Sequence, residues 1–76
     1  MTKETEKLPE WQQRLLDEYK ELNNKYTKLC NFCSLNNKEY TKLSELEQQL
    51  LRSQREKMIE YLDILGYRLD FYHIKH

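Results

Sequence analysis

The chain has 76 residues, 13 basic and 13 acidic, and no formal net charge. That length allows one domain at most, and the balance persists on either side of Tyr40. No basic arm exists, so a DNA- or RNA-binding role driven by phosphate neutralisation is not expected. One glycine and one proline leave little turn material for a sheet, and 34% charged residues fit a polar, helix-rich chain.

Residues 1–8 (MTKETEKL) are polar and predict a flexible N-terminus. Pro9 suits a first helical turn, where its missing N–H has no partner to lose. From there the spacing predicts a helix over 9–34. Leu15, Leu22 and Leu29 recur every seven residues, as do Tyr19, Tyr26 and Cys33, so the two lines form a heptad seam. Trp11 starts the same stripe. At ~1.5 Å per residue this helix is nearly 40 Å long.

Residues 35–43 (LNNKEYTKL) read as the connection. Asn36 and Asn37 predict a helix stop, because asparagine tolerates the left-handed conformation. Tyr40 and Leu43 are expected to fold back over the end of the hairpin, with space for one helical turn.

A second helix is predicted over 44–72, opened by a capping box at Ser44 and Glu47. Leu46, Leu50, Leu51, Gln54, Met58, Tyr61, Leu62, Leu65, Leu69 and Tyr72 recur at steps of three and four. Gly66 interrupts the helix, either for a close helix approach or where the end frays. Residues 73–76 read as a tail, and Phe71, Tyr72 and Ile74 are apolar enough to pack on another subunit.

These elements predict an all-α fold: an antiparallel hairpin of two long helices, 9–72, assembling into a homo-oligomeric bundle. A single core in a chain this short supplies only ~3–5 kcal/mol, which makes self-association the expected remedy. A turn near Glu39 sets Trp11 beside Arg68, Leu15 beside Ile64 and Leu65, Tyr19 beside Tyr61, and Tyr26 beside Gln54.

The residues hold no Ser–His–Asp spacing, phosphate-cradling glycine loop or His-Glu-x-x-His pair, so no enzymatic activity is expected. Cys30 and Cys33 lack two further ligands for a closed zinc site, and no metal or cofactor is expected. They read as reduced thiols of an intracellular protein. No run is apolar enough to span a membrane.

Two clusters carry recognition chemistry. The first is Trp11, Gln12, Gln13 and Arg14 with Tyr67 and Arg68 opposite: an aromatic plane beside guanidiniums can stack a base and hold a phosphate. Equally, Trp11 can close the open end of the hairpin under Arg68. The second is Gln54, Arg55, Met58 and Tyr61, in which Gln54 either fixes register or bonds Tyr26 across the hairpin, or reads a ligand edge. With Tyr19, the candidate ligand-binding set is Trp11, Gln12, Arg14, Tyr19, Gln54, Arg55, Tyr61 and Arg68.

The stretches LPEWQQRLLDEYKELNNKYTKLCNF (8–32) and LLRSQREKMIEYLDILGYRL (50–69) resemble a crAssphage-related family of short phage helical proteins. The matching positions run from Trp11, Gln12, Gln13 and Arg14 to Phe32, and from Leu50 to Arg68. This resemblance implies a phage origin and a helical hairpin. In size and architecture the chain is also similar to phage sponge proteins, which sequester cyclic oligonucleotides or cyclic ADP-ribose derivatives between subunits without cleaving them. That similarity implies a counter-defence protein in the cytoplasm of an infected bacterial host, with itself and a nucleotide-type messenger as partners. The alternatives are a helical module that inhibits a host defence protein, and a structural homo-oligomer.

Overall fold

The computed structural model describes residues 8–76. It holds three helices: α1 (Glu10–Phe32), α2 (Lys38–Lys42) and α3 (Glu45–Phe71). Helices α1 and α3 pack together as an antiparallel hairpin with principal extents of 55 × 20 × 15 Å. The predicted N-terminal segment lies outside the described residues except for Leu8, which packs against the core.

Local chemistry sets the helix boundaries. Pro9 is the residue before α1, one position earlier than a first-turn proline, and its carbonyl accepts from the Gln13 N–H at 2.9 Å. Helix α1 ends at Phe32, where the Cys33 N–H still reaches the Leu29 carbonyl. Asn37 does not stop a helix in a left-handed turn. It starts α2, its Oδ1 accepting from the Glu39 and Tyr40 N–H groups at 2.9 and 3.0 Å. Asparagine suits either end of a helix, and here the donors of α2 capture its side chain. Ser44 and Glu47 make the capping box, with the Ser44 N–H donating to Glu47 Oε1 at 3.0 Å and the Glu47 N–H donating to Ser44 Oγ at 3.2 Å.

At the turn, Tyr40 is 2% exposed. Its ring meets Phe32 edge-on at 5.9 Å, its hydroxyl accepts from Arg52 Nη1 at 2.9 Å, and its carbonyl accepts from Gln48 Nε2 at 3.0 Å. The main core lies at the opposite, open end. There Leu15, Leu16, Leu65, Leu69 and Ile74 are buried together, with Leu8, Tyr19 and Leu22 against them.

Ile74 therefore packs on its own chain rather than presenting itself to another subunit. The reversal is a Schellman turn. His73 adopts φ 59°, its N–H donates to the Asp70 carbonyl, and the Ile74 N–H donates to the Leu69 carbonyl, both at 2.9 Å. The hydrophobic contact of Ile74 with Leu69 completes it.

The seam of α3 is offset from the predicted stripe. Leu62, Leu65, Gly66 and Leu69 are buried, and Leu51, Arg52, Arg55 and Met58 are half-buried. Leu46, Leu50, Gln54, Tyr61 and Tyr72 are exposed. Gln54 thus does not fill the seam; Arg55, one residue on, does, its alkyl stem being able to pack while its head stays wet. Gly66 lies inside α3 and is not a frayed end. A methyl added there would meet His76 at 3.7 Å and Tyr19 at 3.8 Å, ordinary contact distances. Gly66→Ala is therefore expected to stabilise the fold by about 0.5–1 kcal/mol, read from the urea midpoint at unchanged slope.

Candidate functional site

The helical phase, about 100° per residue, divides the candidate residues between two flanks of the hairpin. Trp11 and Arg14 share one flank of α1, and Gln54, Tyr61 and Arg68 share the flank of α3 that faces the same way. Gln12, Tyr19 and Arg55 are half-buried along the seam and lean toward the opposite flank. The eight residues therefore do not converge on one pocket within a single chain.

The first flank is the more developed. Trp11 meets Tyr72, one turn beyond the expected Arg68, with ring centroids 4.8 Å apart and planes at 80°. Tyr72 in turn meets Phe71 edge-on at 5.0 Å. Trp11 is nevertheless 48% exposed, so an aromatic surface remains available beside the core. Further along, the Tyr61 hydroxyl donates to a Glu18 carboxylate oxygen. That hydrogen bond, with some desolvation and the Glu18 charge, raises the Tyr61 hydroxyl above its ordinary pKa, while nearby Arg68 pulls it back. Glu18, Glu21, Leu22, Lys25 and Tyr61 line a shallow cavity of about 260 Å³. The hairpin register explains the contact: Tyr61 lands on Glu18, one residue from the expected Tyr19.

Arg14 is not free on this flank. Its Nη2 pairs with Glu10 Oε2 at 2.8 Å, one turn away. Both groups are exposed, so the pair is weak and exchangeable with another anion.

On the second flank, the His76 ring packs edge-on against Tyr19 at 4.8 Å, and its Nε2 lies 2.9 Å from Asp70 Oδ1. A cavity of about 350 Å³ opens there, lined by Asp70, His73, Ile74, Lys75 and His76. Farther along, the neighbouring Cys30 thiol, then partial burial, raises the Tyr26 hydroxyl above its ordinary pKa, and Arg55 opposes the shift. Gln54 is exposed rather than seated in the seam against Tyr26. Cys30 and Cys33 are both free thiols.

Glu18, Glu21, Lys25, Tyr72 and His76 lie outside the ligand-binding set expected from the sequence. The first three are charges on a helix surface, a pattern that ordinarily signals solvation. Tyr72 repeats in phase with the predicted seam, and only the observed register puts it against Trp11. Among the described residues, no group of three His, Cys, Asp or Glu side chains could hold a metal ion, and no helix is long and apolar enough to cross a membrane.

No curated protein and no solved structure matches the chain. A family model described as Sequestin matches residues 9–71, from the start of α1 to the end of α3. The match spans the whole hairpin, and the chain belongs to the Sequestin family.

Proposed function

We propose that this protein binds a nucleotide-derived immune second messenger, a cyclic oligonucleotide or cyclic ADP-ribose derivative, and holds it without cleaving it. On this reading it is a phage counter-defence protein acting in the cytoplasm of the infected bacterium. Membership of a family whose name denotes sequestration is the observation that carries the proposal. The first flank supports it, because it combines the chemistry that nucleotide recognition needs. Trp11 and Tyr61 are exposed aromatic faces for a base, and Arg68 and Arg14 are cations for phosphate. Glu18 and Glu21 accept hydrogen bonds, which suits ribose hydroxyls or an exocyclic amine. Gln54 supplies an amide on the same flank.

One hairpin offers only a shallow surface here, and a ligand of this size is held tightly only when most of its surface is covered. Self-association would close the flank into a pocket. Gln12, Tyr19 and Arg55 then contact ligand only where a neighbouring copy brings its second flank to the first.

The test compares single substitutions on the two flanks. Trp11→Ala and Arg68→Ala are expected to weaken messenger binding at least tenfold, about 1.4 kcal/mol. The same titration on Lys42→Ala, at the far end, should be unchanged. Thermal unfolding without ligand should shift little for Arg68→Ala. Binding that survives both flank substitutions would contradict the site. A protein-directed role gains support instead if no nucleotide binds and a host defence protein is retained through the exposed aromatic residues.

A further inference from the structure

The face of α3 turned away from the hairpin is chemically palindromic. Leu46, Leu50, Ile64 and Phe71 are exposed on it, at 65, 59, 54 and 73%. Together with Tyr61 they fall within an arc of about 80° around the helix, so they form one stripe rather than scattered apolar residues. Reflected through a point near Met58, each member of the stripe meets a residue that suits it. Leu50 falls opposite Ile64, and Leu46 opposite Phe71. Glu47 falls opposite Arg68, and Lys57 opposite Glu60, all four pairs to within two residues of a common centre. Such reversed correspondence is what an antiparallel helix pair on a twofold axis requires, because every contact then occurs twice with the roles exchanged.

We propose that the occupant of this face is a second copy of the chain, with the two α3 helices antiparallel and crossing near Met58. Charge complementarity favours a second copy over an unrelated partner. Glu47 spends Oε1 on Ser44, which leaves Oε2 for Arg68 of the second copy. Lys57 and Glu60 already pair within one chain at 3.7 Å, and at the axis they form an alternating box with their symmetry mates. The parallel arrangement would set Glu47 beside Glu47 and Arg68 beside Arg68.

This pairing deepens the proposed binding role and rests on it for its functional meaning. It brings Gln54 of the second copy against Tyr61, at the edge of the cavity formed with Glu18 and Lys25. Each site then draws its amide from the other chain. The Arg68 guanidinium has edges for both the facing carboxylate and a ligand phosphate.

The experiment needs no ligand. The intact chain should show about twice its 9.5 kDa mass by light scattering. Leu50→Glu alone and Ile64→Lys alone should each return it to the single-chain mass, and the double variant should restore the dimer. In a Cys30→Ser/Cys33→Ser background, mild oxidation should cross-link Lys57→Cys, which lies at the axis, to its own copy. Leu46→Cys, which faces Phe71, should not cross-link to its own copy. A single-chain mass for the unsubstituted protein overturns the pairing, as does self-cross-linking of Leu46→Cys without that of Lys57→Cys. If the pairing fails, messenger binding by the monomer remains measurable by titration. If binding fails, mass and cross-linking still report the dimer.

Discussion

Leu65→Ala is expected to leave the chain largely unfolded at room temperature. Leu65 has no exposed surface and sits with Leu15, Leu16, Leu69 and Ile74 in the main core. Truncating a buried leucine costs about 2–5 kcal/mol, the lost transfer energy plus the cavity left behind. A single core of this size supplies only ~3–5 kcal/mol, so one substitution removes most of the stability. Far-ultraviolet circular dichroism and a urea titration measure the effect. Leu35→Ala is the control, because Leu35 is 86% exposed and its loss should stay within about 0.5 kcal/mol. A Leu65→Ala midpoint equal to that of Leu35→Ala would mean that the open-end core does not hold the hairpin together.

The second large effect lies at the turn. Tyr40→Ala should destabilise by about 3–5 kcal/mol, as aromatic truncations do when the ring is buried. It removes the Phe32 contact and leaves Arg52 without its hydroxyl partner. Tyr40→Phe keeps the ring and loses only that hydrogen bond, so its cost should be ~1 kcal/mol. Amide exchange localises the damage: faster exchange in α2 and the first turns of α3 is expected for Tyr40→Phe, with the Leu65 region still protected. Equal loss of protection along the whole hairpin would show that the turn and the open end do not unfold separately.

The capping box at Ser44, the two long helices and the antiparallel hairpin were legible because each has a local signature. The offset of the α3 seam was not. Leu46, Leu50 and Tyr61, like Leu51, Met58 and Leu65, are separated by sums of three- and four-residue steps, and periodicity alone cannot say which of two adjacent faces meets α1. Half-buried Gln48, Arg52 and Arg55 made the true seam look polar near the turn, although their stems pack as well as shorter apolar chains. Ile74 was read as tail because the Schellman turn at His73 has no glycine to announce it.

The candidate site was partly legible for the same reasons. Trp11, Arg14, Tyr61 and Arg68 can be grouped by register and chemistry. Glu18 joins them only through its hydrogen bond with Tyr61, which depends on the register to within a single residue. The split of Gln12, Tyr19 and Arg55 to the opposite flank follows from helical phase once the seam is known.

Sequestration is tested by thermal unfolding of the purified protein against cyclic dinucleotides, cyclic trinucleotides and ADP-ribose derivatives, with each bound ligand recovered after denaturation. A ligand at 100 times its Kd should stabilise the fold by about 2.7 kcal/mol. At least one of these messengers is expected to give such a shift and to return chemically intact. A shift with an altered ligand would contradict sequestration by showing turnover, and no shift with any of them would contradict nucleotide binding itself.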